Sequence, residues 1–138
     1  MKPVHLVAGS LVAAATLLAV PLASARPAFR SQVIEQFKLD AATTTCQYCH
    51  VNAGGGAPWN KFGDAVRANL RGDAKGNIAD ALYLTLKADK DSDGDGYADA
   101  LEVFAKTLPG DPKSVPPEAP EALKARFEAA GGLGQYKP

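Results

Sequence analysis

The chain has 138 residues, with 15 basic and 15 acidic side chains and a formal net charge of zero. That balance leaves no broad basic field for nucleic acid and no basic amphipathic helix for a membrane surface. The length suits a single domain in which burial alone gives a modest margin, so a cofactor or an ion would help as a cross-link.

Residues 1–25 read as a secretory leader. Lys2 precedes an apolar run from Leu6 to Val20, and Pro21 and Ala23-Ser24-Ala25 then supply an A-x-A cleavage site. The run is shorter than the roughly 20 residues a membrane span needs, so cleavage after Ala25 and no membrane span thereafter are expected. This places the protein in the periplasm or outside the cell, where a cysteine pair could oxidise.

Helical spacing dominates the rest of the chain. Phe29, Val33 and Phe37 recur every four positions and predict a helix over 28–39. Trp59, Phe62, Val66 and Leu70 predict a second, after the flexible stretch Asn52-Ala53-Gly54-Gly55-Gly56-Ala57-Pro58. Asn77 is a good N-cap for a third helix carrying Ile78, Ala81, Leu82 and Leu86, which should end at the aspartates near Asp89. Leu101, Phe104, Ala105 and Leu108 predict a fourth from Asp99. Pro116, Pro117 and Pro120 suggest an extended linker, with a last helix over 118–130 and a glycine-rich tail expected to fray. No strand alternation and no repeat is visible.

Cys46-Gln47-Tyr48-Cys49-His50 has the order C-x-x-C-H, the attachment pattern of c-type haem. Two thiols reach two vinyl groups on one porphyrin edge while the next side chain brings an imidazole to the iron. A C-x-x-C disulfide or redox pair and an incomplete zinc site are the competing uses. The segment, with the glycine-rich loop after it, resembles the opening of small bacterial mono-haem cytochromes c. It is also similar to haem-motif segments of secreted bacterial proteins that carry calcium repeats. The resemblance implies covalent haem c on Cys46 and Cys49, His50 as proximal iron ligand, and one-electron transfer to a redox partner protein. It departs from the family in one respect: after the leader there is neither a methionine nor a second histidine for the far side of the iron. Water, Lys61, Lys87, Tyr83, the new amino terminus or a partner's group would have to serve, and an open site would suit a haem-based ligand-binding or sensing protein.

Asp91-Ser92-Asp93-Gly94-Asp95-Gly96-Tyr97-Ala98-Asp99-Ala100-Leu101-Glu102 fills the twelve-residue EF-hand pattern. Calcium takes about six to eight oxygens. Asp91, Asp93 and Asp95 would give one each, Tyr97 its carbonyl, Asp99 a direct or water-mediated contact, and Glu102 two. A register starting at Asp89 puts Ala100 at the twelfth position and lacks the bidentate ligand. The loop and its continuation resemble the calcium repeats of thrombospondin type 3 and dockerin modules as well as an EF-hand. The resemblance implies a structural ion rather than a sensor.

The resulting expectation is a mainly α fold in which a small helical cytochrome c-like haem module packs with a helix-loop-helix calcium unit. Its parts are a leader (1–25), a haem-binding segment (26–76), a calcium-binding segment (77–110) and a proline-rich linker with a C-terminal helix (111–138). No nucleophile-base pair or phosphate loop stands out, so an electron carrier or binding protein is expected rather than an enzyme. A lone calcium loop leaves homodimerisation through that loop open. A third reading discards the haem and keeps a secreted calcium-binding structural or interaction module.

Overall fold

A computed structural model describes residues 27–138, so the leader and its cleavage site lie outside the described residues. Among these residues five helices carry the fold: α1 (Pro27–Gln36), α2 (Lys61–Arg71), α3 (Ile78–Lys87), α4 (Asp99–Ala105) and α5 (Pro120–Ala129). Short 3-10 turns occupy Cys46–Tyr48 and Gly132–Tyr136. The described residues form no strand, only an isolated antiparallel bridge between His50 and Trp59. None of their helices is long and apolar enough to cross a membrane.

Each boundary has a local cause. Helix α2 begins after Trp59 because Asn60 caps it, its Oδ1 accepting from the Gly63 amide at 2.7 Å. Asn77 does the same for α3, accepting from the Ala79 and Asp80 amides. Helix α4 stops short of the expected Leu108, because Lys106 takes a left-handed conformation at φ 66°. Helix α5 starts at Pro120, whose fixed φ and missing N–H suit a first turn.

Helices α2 and α3 form the main pair; α1 crosses α3, and α4 packs on α5. Phe37, Phe62, Leu82, Leu86 and Val103 are fully buried. Phe37 is the hub of an aromatic cluster, with its ring centroid 6.1 Å from Tyr48, 6.5 Å from Phe62 and 5.5 Å from Tyr136. The expected frayed tail is therefore corrected. Tyr136 is buried at 1 % exposure, and its carbonyl accepts from Gln36 Nε2 at 2.8 Å.

Candidate metal centre and the cysteine turn

The α3–α4 connection is a loop closed by its own backbone and carboxylates. The Asp99 amide donates to the Lys90 carbonyl at 2.7 Å, joining the loop's two ends. Asp91 accepts from the Gly94 amide through Oδ1 at 2.6 Å and from the Gly96 amide through Oδ2 at 2.9 Å. Asp93 Oδ1 takes the Asp95 amide, and Asp95 Oδ1 takes the Tyr97 amide. Gly96, at φ 100°, supplies a backbone conformation that side chains strain to adopt.

These bonds occupy both oxygens of the exposed Asp91 but only one each of Asp93 and Asp95. Asp91, Asp93 and Asp95 each offer a carboxylate oxygen within 4.8 Å of the others. Asp93 Oδ2, Asp95 Oδ2 and both carboxylate oxygens of Glu102 are buried with no hydrogen-bond partner. Glu102 is fully buried on α4. Burial pushes its carboxyl up to about 9, and the charges of Asp93, Asp95, Asp99 and Asp91 push the same way. Buried carboxylate oxygens that accept no hydrogen bond, in a crowd of like-charged groups, are costly unless a cation compensates them.

Asp99 stands apart. Its Oδ1 and Oδ2 accept from the Ser92 amide at 2.8 Å and the Ser92 hydroxyl at 2.7 Å, so it braces the loop. Burial raises it to about 6. Tyr97 anchors the loop outward, its hydroxyl donating to the Glu118 carbonyl at 2.9 Å. Sequence reasoning missed the Ser92 brace, and it missed Asp111, whose charge adds to those raising Asp93.

The cysteine turn is built differently. The Cys49 and His50 amides donate to the Cys46 carbonyl, and the Asn60 amide donates to the Cys49 carbonyl at 3.1 Å. Asn60 Nδ2 donates to the Gln47 carbonyl at 2.8 Å and the Tyr48 carbonyl at 3.3 Å. The imidazole of His50 packs against Trp59 with centroids 4.0 Å apart and the ring planes tilted by 35°, and its Nδ1 faces the Gly56 carbonyl. Cys46 and Cys49 are free thiols, and burial pushes Cys49 up to about 12. Gly63 is held close against this turn: a Cβ there would overlap the Cys49 carbonyl oxygen.

These surroundings correct the cytochrome expectation. Cys46, Cys49 and His50 do stand in C-x-x-C-H order, with Tyr48 inside the motif, and the turn brings them together. The space around them does not fit haem c. The cavity beside His50, lined also by Gln47, Asn60, Leu108 and Asp111, holds about 180 Å³, well under the roughly 300–1,000 Å³ of pockets that enclose organic ligands. Among the described residues there is no methionine and no histidine besides His50 to ligate an iron from the opposite side. Lys61 and Lys87 are exposed to solvent on α2 and α3. The fold therefore does not support the mono-haem cytochrome, its iron, its one-electron transfer or the haem-sensing variant. It supports a mainly helical bundle with a dithiol turn and an acidic loop.

Compared with protein families, with curated proteins and with solved structures, the chain finds no match.

Proposed function

We propose that this protein is a calcium-binding helical module in which the ion clamps α3 to α4 as a structural element. The observation that carries the reading is Glu102: fully buried, both oxygens without a partner, and within the electrostatic reach of Asp91, Asp93 and Asp95, which themselves cluster. Asp91, Asp93 and Asp95 supply one oxygen each, Glu102 two, and the Tyr97 carbonyl the next, which approaches the about six to eight oxygens calcium prefers. Asp99 reaches the ion through water while Ser92 holds it. A helix, the acidic loop and a second helix follow one another along the chain, the order an EF-hand reading requires. Its single loop and the lack of methionine in 27–138 favour a constitutive clamp over a groove-opening sensor. The leader adds export to the proposal, and extracellular calcium modules work at dissociation constants of roughly 10⁻⁴–10⁻³ M.

Titration calorimetry with calcium tests this. One ion per chain is expected, with binding abolished in Glu102→Gln. A flat titration at millimolar calcium would remove the assignment. An intact mass of the exported protein bears on the other region: a porphyrin adduct on the two sulfurs would restore the cytochrome reading.

A further inference from the structure

We propose that calcium in the Asp91–Glu102 loop tightens the turn from Cys46 to Asn60 through the Tyr48 hydroxyl. The ion state of one site thereby sets how open the other is. This coupling rests on the loop being a calcium site.

The path is short and partly buried. Glu102 holds the ion with its carboxylate, while its backbone carbonyl accepts from the Thr107 amide at 2.9 Å and the Thr107 hydroxyl at 3.2 Å. The Thr107 carbonyl accepts from the Tyr48 hydroxyl at 3.0 Å, across 59 positions of chain. Tyr48 is 4 % exposed and lies between the two cysteines. Its own carbonyl and that of Gln47 are held by Asn60, which also caps α2. A second contact takes the same route: Gly110, just beyond α4, packs so closely on the Asn60 side chain that a Cβ there would overlap its Cγ.

The physics of the path starts with the charges at its origin. Without a cation, the Glu102 carboxyl has no partner and nothing draws α4 toward the loop. With a cation, this carboxylate and the loop aspartates attract a common centre and α4 is fixed. Thr107 is bonded to Glu102 and moves with it. The buried Tyr48 hydroxyl must then follow Thr107 or lose its partner, and leaving it unsatisfied costs more than a typical exposed bond. An ion that favours one position of α4 thereby favours one arrangement of the turn. Tyr48 is a positioning residue, not a ligand.

Hydrogen exchange read by mass spectrometry on the full exported chain tests the proposal. Peptides covering 46–60 are followed with calcium chloride and with chelator, and α1 is the internal reference. Calcium should slow exchange in 46–60 by about tenfold beyond any slowing in α1, matching the worth of one buried hydrogen bond. Tyr48→Phe keeps the ring and removes the bond. It should bind calcium by calorimetry yet show no excess slowing. Glu102→Gln, which cannot hold the ion, should show no calcium effect in either segment, and it keeps the test decisive if Tyr48→Phe does not fold. Equal slowing in 46–60 and α1, or excess slowing that persists in Tyr48→Phe or Glu102→Gln, would overturn the coupling. No calorimetric binding to the unaltered chain would instead remove the calcium reading on which it stands.

Discussion

The acidic loop and the cysteine turn are both short, loop-borne clusters of chemistry-bearing residues, yet they are satisfied in opposite ways. In the turn, Asn60 and the backbone satisfy the carbonyls of Cys46, Gln47, Tyr48 and Cys49 from within the protein. In the loop, four buried carboxylate oxygens accept nothing. A region closed by its own hydrogen bonds needs no further partner to be stable. A region that gathers buried acceptors of one charge is incomplete, and the missing component is positive.

The largest effect that would break this contrast lies in the loop. Saturating calcium, at about a hundredfold over its dissociation constant, should contribute about 2.7 kcal/mol. For a domain of this size that raises the melting temperature by roughly 10–20 °C, measured by calorimetric scanning with and without chelator. Glu102→Gln should abolish that rise. The same residue gives the loop a pH signature. Glu102 titrates near 9 in the ion-free fold against an ordinary 4.5, so the folded state holds a proton that the unfolded state releases. Ion-free stability should therefore fall as pH rises from about 4.5 towards 9, and calcium should flatten the slope. A rising slope with chelator present would contradict the burial of Glu102.

In the turn, the next effects come from its own packing and hydrogen bonds. Gly63→Ala forces a Cβ onto the Cys49 carbonyl, and destabilisation of about 3 kcal/mol or more is expected by denaturant titration. Asn60→Ala removes the α2 cap and two carbonyl contacts, for about 2–3 kcal/mol. The smallest change sharpens the contrast from the core. Tyr136→Phe deletes a buried hydroxyl that has no partner, so stability should be unchanged or higher by up to about 1 kcal/mol. A clear loss would mean the hydroxyl is bonded.

Much of the fold is legible along the chain. Apolar residues at helical spacing announce α1 through α4, and Asn77 announces a helix start, because those signals are local. The acidic loop is legible for the same reason: Glu102 stands at a fixed distance from Asp91 on one continuous stretch. Contacts between distant positions are not. Tyr136 reads as part of a loose tail because its partners Phe37 and Phe127 carry no mark of it in sequence. The Tyr48 bond to Thr107 is equally hidden. Ser92 reads as filler, and only the folded loop shows its hydroxyl holding Asp99. The cysteine motif is legible as letters, but the space around His50 depends on Trp59, Leu108 and Asp111 and is a property of the assembled fold.

The bond from Gln36 to the Tyr136 carbonyl spans 100 positions. It ties α1 to a turn one hundred positions later, so the aromatic centre cannot be sealed until that turn has been made. Phe37 can be enclosed only after Tyr136 has joined the chain.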